Sequence, residues 1–589
     1  MRHIGIRITS LILAAAFFVA AVSCSLIKDN SKLSELEFTE FPTKAYNADI
    51  VHPVRKPGKL SGEAAAAELS AIEWDYIRHD IGDRFVHASW SFSDLDAVGI
   101  KIDKPSFGQV GPGDYKAECQ YLGGLLERLY RIDFEKLDKQ DRDFYDQIVF
   151  DLEEERYIKQ YEGFVYMQPA LSAESAGTFY VTLSYLDVRN KNETDLFIGL
   201  LKDADRYFSE ICEFEKKRSE KGYSSVADYY TKSSTAFYML TQKSRTEPLR
   251  ESFIKSINAI KELSEEERTA YIAEFDKVME EVLFPKLVEC QKVFAELAKT
   301  TKNEKGLSGM AHGKELYEHL LRRQIGRDCN VAELAKELDE ALKLAPDSAN
   351  KPAEGSNNRE KMDYIEKRSK EYFPELKINY EIEILPDSFR TAGVSGVYAA
   401  KHYDDPSFEI IFLPEFLRNE SVIYHEGIPG HMYQFNYHKI TLRHKYMLCY
   451  YKDTYVEGWA TYIMDNPASM YGRTGSELTY TGITCRHYMA QARADICLNY
   501  EGLSESETNK YISGVMQESV SILSDSIVMN PGIGISYGLG SYMTIKTLES
   551  IKSLDPDMSI LKMHTLYLDA GPGCFDRILA SVRRQYKGG

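Results

Sequence analysis

The segment SVIYHEGIPGHMYQFNYH, residues 421–438, carries two imidazoles and a carboxylate at a spacing that could serve metal chemistry. Neutral histidine nitrogens and ionised carboxylates are common donors for a divalent cation such as zinc. On a helix, two histidines four positions apart point the same way, and a glutamate beside the first can act as general base. Here His425 and His431 lie six positions apart, with Glu426 after the first. At roughly 100° per residue, a four-residue step leaves two side chains within about 40°, whereas six leaves them about 120° apart. An unbroken helix could not chelate with this pair. Gly427, Ile428, Pro429 and Gly430 intervene, and proline and glycine are the residues a continuous helix tolerates least. The interruption is therefore expected to let the backbone bulge and return His431 to the place of an i+4 ligand.

A third ligand is expected from a separate helix, and DTYVEGWATYIM supplies Glu457 among Val456, Trp459 and Tyr462. Burying a carboxylate without a partner costs several kcal/mol, so this one requires a cation, either a metal or a buried arginine. Two histidines and Glu457 would leave one zinc position open for water, the arrangement of a catalytic site. Glu426 would take the proton from that water and deliver it to a leaving amine. Tyr537 in NPGIGISYGLG is the candidate donor to a developing oxyanion, because glycines allow close approach; the alternative is a core tyrosine beside a turn. His438 and His444 are read as structural. Arg493 and Asp495 are read as a pair supporting neighbouring helices, and RTAGVSGVY, residues 390–398, as either a substrate-facing loop or an ordinary connection.

The elements that must position these residues are mostly helices. From SGEAAAAELSAIEWDYIRHD onward, apolar residues recur at three- and four-residue spacing, Leu69, Ile72 and Tyr76 among them, with Ser61 as a possible cap. In LKINYEIEILPDSF, Ile378, Tyr380, Ile382 and Ile384 alternate as in a half-buried strand, and SFEIIFLP, residues 407–414, is a second strand candidate. A small sheet is thus expected just before the histidine segment, with SFEIIFLP able to bind an extended peptide by edge pairing. The reading is a mainly α fold with four parts: a signal peptide over 1–23, a tether over 24–60, an N-terminal helical scaffold over 61–375, and a metal-binding portion with the sheet over 376–589. The active site is expected in a cleft between the last two.

Acidic residues outnumber Lys and Arg by 90 to 72, so no basic excess is available for nucleic acid. Arg2, His3 and Arg7 precede a short apolar run, and Ala21, Val22 and Ser23 lead directly to Cys24, the pattern of a bacterial lipoprotein signal. A lipid on Cys24 would anchor the chain to a membrane outside the cytoplasm, at the cell surface or in the periplasm. The other eight cysteines show no C-x-x-C spacing, so neither a zinc ribbon nor a disulfide framework is signalled.

YHEGIPGHMYQ, YVEGWATY, RADICLNYEGLSESE, NPGIGISYGLGSY and HTLYLDAGPGCFDRIL resemble, in that order, the motifs of the bacterial family called domain of unknown function 885. The resemblance spans residue 65 to the C-terminus and implies a helical zincin-like, gluzincin-type metallopeptidase fold. It implies one zinc ion per chain held by His425, His431 and Glu457, Glu426 as general base, and a functional Tyr537 preceded by Pro531 and Gly532. His564 matches a family histidine without an assigned role. Asn499 and Met464 depart from residues common in the family, a histidine and an acidic residue, which touches substrate preference but not the ligands. The expected activity is hydrolysis of short extracytoplasmic peptides, as an oligopeptidase or carboxypeptidase. The alternatives are an inactive peptide-binding lipoprotein and a zinc amidase acting on another amide; cobalt or manganese would suit the same ligands.

Overall fold

The computed structural model describes residues 46–587, apart from 47, 54–55, 83, 109, 111–114, 160–178, 181, 187, 328, 386–394, 416, 418–419 and 523. The signal segment, Cys24, most of the tether and residues 390–394 lie outside the described residues. The chain is mainly α-helical, with one three-stranded sheet among the described residues.

Helix α1, Glu63–Ile81, buries Leu69, Ile72 and Tyr76 as their spacing requires, but Gly62 rather than Ser61 stands at its start, without a side-chain cap. Helix α2, Lys139–Lys159, packs with α1 in one core that also contains Met432, Trp459 and Tyr567. The N-terminal helices are thus part of the wall behind the histidine segment. Helices α3, Lys191–Glu220, and α4, Phe284–Thr300, belong to a second core built around Phe197, Phe208, Phe253 and Phe294. Asn190 starts α3 by accepting from the Glu193 amide, which satisfies one of the free donors at a helix N-terminus. Within this core the Cys212 and Cys290 sulfurs approach to 3.1 Å as free thiols. Helix α5, Gly313–Ile325, joins a third core with Met489 and Leu539.

The sheet has strands β1, Tyr380–Ile384, β2, Val397–Tyr398, and β3, Glu409–Leu413, in the order β1-β3-β2. β3 pairs parallel with β1 and antiparallel with β2. This corrects the edge-pairing expectation: SFEIIFLP holds the middle strand, paired with β1 along Glu409–Leu413 and with β2 at Ile411 and Phe412. The alternation expected for β1 is also weak, since Tyr380 alone is buried there and Ile384 is 68% exposed. A five-residue strand with only one neighbour packs little of either face.

Beyond the sheet come α6, Ser421–Glu426, α7, His431–Thr441, α8, Asp453–Ile463, and α9, Ile483–Ile496. A π-helical turn over Ile535–Leu539 runs into α10, Gly540–Lys552, followed by α11, Ile560–Asp569, and α12, Phe575–Lys587. His444, in the connection after α7, bonds Glu73 of α1 at 2.8 Å and Asp141 of α2 at 3.0 Å. His438 bonds the Tyr455 hydroxyl at 3.0 Å, deep in the core. Both therefore serve the fold.

Candidate metal centre

The interruption between the histidines is a turn between two helices. α6 ends at Glu426, the chain passes through Gly427 to Gly430, and α7 begins at His431. Gly430 lies so close against the end of α6 that a Cβ there would sit 2.0 Å from the His425 carbonyl oxygen. No other residue type fits without moving α6 from α7. The Trp459 indole N–H donates to the Pro429 carbonyl at 2.9 Å and holds the turn from α8. His564 stacks flat on Phe373 at 4.4 Å and meets Trp459 edge-on at 5.6 Å. It bonds the Tyr372 carbonyl and the Tyr462 hydroxyl, both at 2.8 Å, and burial pushes its pKa down to about 4. A neutral His564 therefore backs Trp459 and lies outside the ligand group.

The turn brings the two imidazoles together. The Nε2 atoms of His425 and His431 are 3.1 Å apart. Glu457 Oε2 lies 3.4 Å from the first and 3.3 Å from the second. All three residues are buried, and among the described residues they form the one group of histidine, cysteine and carboxylate side chains disposed to hold a metal ion. Burial opposes ionisation of Glu457, but the adjacent imidazoles outweigh it and hold the carboxyl at about 2. No arginine pairs with Glu457 among the described residues. For a tetrahedral ion with bonds of about 2.0–2.1 Å, neighbouring ligand atoms stand about 3.3 Å apart. The observed triangle fits that edge length, so the donor set and its spacing suit zinc.

Close helix packing delivers Glu457. A Cβ at Gly458 would meet the Gly540 backbone at 2.4 Å, so α8 and α10 cross with almost no side chain between them. The same contact brings the π-helical turn, and Tyr537 on it, to the centre. The Tyr537 ring stacks on His425 at 6.0 Å and on Tyr488 at 5.2 Å. Its hydroxyl engages Glu457, and burial together with that carboxylate keeps its pKa well above the ordinary tyrosine value. Asp495 fixes the turn leading to it by accepting from the Gly532 and Gly534 amides at 3.0 and 3.1 Å, and from the Tyr317 hydroxyl at 2.9 Å. Arg493 instead pairs with Asp339 and Glu501. Arg493 and Asp495 are thus structural groups with different partners, not one pair. Asn499 adds an amide bond to Asp495 at 3.1 Å.

Glu426 does not join the ligand triangle. Its Oε2 accepts from the Tyr398 amide at 2.9 Å. Tyr398 is held in turn, its hydroxyl donating to Glu409 at 2.7 Å, while Lys439 donates to the other Glu409 oxygen at 2.5 Å in a fully buried ion pair. Burial pushes the Glu426 carboxyl up to about 7, against the pull of His425 and the Tyr398 amide. The arrangement can bind a divalent cation and offer a basic carboxylate beside it. Glu409, Lys439 and Tyr488 were not singled out as site residues in the sequence, and Tyr398 only as the end of the RTAGVSGVY segment. The lysine in FNYHKIT was the one available signal, as a cation in a helix that is otherwise buried.

Fold and site together define a mainly α-helical protein with a buried His-His-Glu group beside a short mixed sheet. Residues 358–578 match the family described as "Bacterial protein of unknown function (DUF885)", a narrower span than the motif resemblance implied. No curated protein sequence matches the chain. Two solved structures share the fold. One, from Colwellia psychrerythraea, is described as a candidate lipoprotein; it is 15% identical, covers 89% of this chain and 100% of its own, and has a TM-score of 0.70. The other, from Shewanella oneidensis, is described as a candidate lipoprotein of unknown function; it is 12% identical, covers 88% and 99%, and has a TM-score of 0.56. No described helix is long and apolar enough to cross a membrane.

Proposed function

We propose that this protein is a zinc-dependent peptidase that hydrolyses short peptides outside the cytoplasm, held to a membrane by a lipid on Cys24. The observation that carries the reading is the triangle of His425, His431 and Glu457, whose edges of 3.1, 3.4 and 3.3 Å match those around a tetrahedral ion. Glu457 Oε2 and both histidine Nδ1 atoms lack a hydrogen-bond partner among the described residues, so that buried carboxylate oxygen faces the two imidazoles unsatisfied. A bound divalent cation would satisfy that charge.

Held by His425, His431 and Glu457, such a cation would supply Lewis acidity to a water molecule and to the scissile carbonyl. Glu426, oriented by the Tyr398 amide, accepts a proton from the attacking water and passes it to the amine nitrogen as the C–N bond breaks. Its raised pKa suits a group that must both take and return a proton near neutral pH. Tyr537, kept protonated by its surroundings, holds Glu457 and has a hydroxyl within the same buried space. The Cys24 anchor draws support from the Ala21-Val22-Ser23-Cys24 pattern and from the descriptions of the two structural neighbours.

Glu426→Gln tests the reading. A peptidase loses turnover of a peptide library and keeps its metal. A non-catalytic binding protein shows no turnover in the wild type and equal peptide affinity in both forms, which would refute the proposal.

A further inference from the structure

Helices α3 and α4 of the second core carry Cys212 and Cys290, which are 78 positions apart in the chain. Both side chains are buried, in the core that also holds Phe208, Ile211, Leu287 and Phe294, and their Sγ atoms meet at 3.1 Å. Carbon atoms in a packed core rest about 3.5–4.0 Å apart, and sulfur is the larger atom, so this contact is closer than packing alone sets. As thiols the two form a relay: Cys212 donates to Cys290 Sγ, whose own proton goes to the Phe208 carbonyl at 3.5 Å. Cys485 and Cys574 behave differently, each turning its sulfur to a backbone carbonyl, that of Thr461 at 3.3 Å and that of Arg323 at 3.7 Å.

A second contact holds the two helices in this register. Lys286, one turn before Cys290 on α4, pairs with Asp205 of α3 at 3.3 Å. A sulfur–sulfur bond is about 2.05 Å long, so closing one here asks each sulfur to move by only about 0.5 Å. A small side-chain rotation covers that distance, and neither helix has to shift.

We propose that Cys212 and Cys290 form a disulfide that fastens α3 to α4 as the chain matures outside the cytoplasm, where such bonds persist. The inference uses the extracytoplasmic part of the proposed function and not the hydrolytic part. The oxidant is a disulfide-bearing thiol oxidoreductase or a small-molecule disulfide. The thiolate of one cysteine attacks a sulfur of that disulfide, which makes a mixed disulfide and releases one thiol. The thiolate of the other cysteine then attacks the first cysteine's sulfur, closing the bond and releasing the second thiol. Two protons and two electrons thus pass from the pair to the oxidant. In the folded core the hydrogen bond from Cys212, and then burial, keep the Cys290 thiol protonated and unreactive, so the bond closes before the core does. The bond would constrain a 78-residue span of the unfolded chain and touches no proposed metal ligand, so its effect falls on stability.

The test is peptide mapping by mass spectrometry of the full chain, with free thiols alkylated before digestion and no reductant added. One sample is made in bacteria with the chain's own N-terminal signal; another is unfolded, reduced and refolded in a mixture of reduced and oxidised glutathione. Both are expected to yield one linked pair of peptides holding Cys212 and Cys290, which reductant separates. Reductant is also expected to lower the thermal midpoint of the wild type by about 3 °C or more and to leave that of Cys212→Ser and of Cys290→Ser unchanged. Alkylated Cys212 and Cys290 in both samples overturn the proposal, as does a link from either residue to a different cysteine. A link in the refolded sample alone leaves the pair standing and removes the extracytoplasmic placement. Zinc content that stays the same with and without reductant supports the assignment to stability, and loss of zinc on reduction contradicts it.

Discussion

At the scale of single residues, three donor atoms and one base separate metal holding from proton transfer. Glu426→Gln is expected to lower kcat by about 10²–10⁴ while zinc content stays at the wild-type level, the signature of a lost general base. Loss of metal in that variant would place Glu426 among the ligands instead. Tyr537→Phe removes one hydroxyl from the same buried space and is expected to lower kcat by about 10²-fold with little change in KM, as for a donor to the transition state. If zinc affinity drops and kcat of the loaded enzyme does not, the hydroxyl acts through Glu457 alone. At this scale the sequence was legible: His425, His431 and Glu457 were singled out from residue type and spacing, and the structure brings their donor atoms together, with Glu426 outside that triangle on the Tyr398 amide. The partners of Asp495 and the use of Lys439 were not, because a hydrogen-bond partner 30 or more residues away leaves no periodic trace in the chain.

At the scale of elements, glycine contacts set the distance between the helices that carry the ligands. Gly430→Ala places a Cβ 2.0 Å from the His425 carbonyl oxygen, so the start of α7 must shift from the end of α6. Zinc affinity, measured by competition with a chromogenic chelator, is expected to fall by at least tenfold; a variant that holds zinc as tightly as wild type would contradict the role given to the turn. Pro429 and Gly430 announced a break in the sequence, but its form was hidden. Periodicity says where a helix stops and cannot say that Trp459, on another helix, holds the turn by its Pro429 carbonyl. The sheet was legible as two runs of β-forming residues, whereas its order was not. That SFEIIFLP sits in the middle follows from a two-residue strand, Val397–Tyr398, too short to register as a pattern.

At the scale of the whole molecule, the N-terminal helices are fastened to the metal-binding portion by buried polar ties as well as by a shared core. His444 is one such tie, between Glu73 and Asp141. Burial opposes its charging, but hydrogen bonds to the two carboxylates outweigh that and raise its pKa above the ordinary histidine value. A raised histidine contributes stability that is fully present below about pH 6.5, its unfolded value, and that fades as pH rises through the folded value. Denaturant midpoints of wild type are therefore expected to exceed those of His444→Gln by more at pH 6 than at pH 9; an equal gap at both would exclude charge as the reason for the tie. The shared core was not legible in the sequence, since amphipathic helices record that a face is buried and not which partner buries it.

The central claim is that the Pro429-Gly430 interruption builds a metal site, and its most direct test is elemental analysis of a soluble form lacking residues 1–30 after equilibration with zinc and desalting. The account predicts one zinc per chain in the wild type and in Glu426→Gln, and none retained in His431→Ala. No bound zinc in the wild type, or the same amount in His431→Ala, would contradict it.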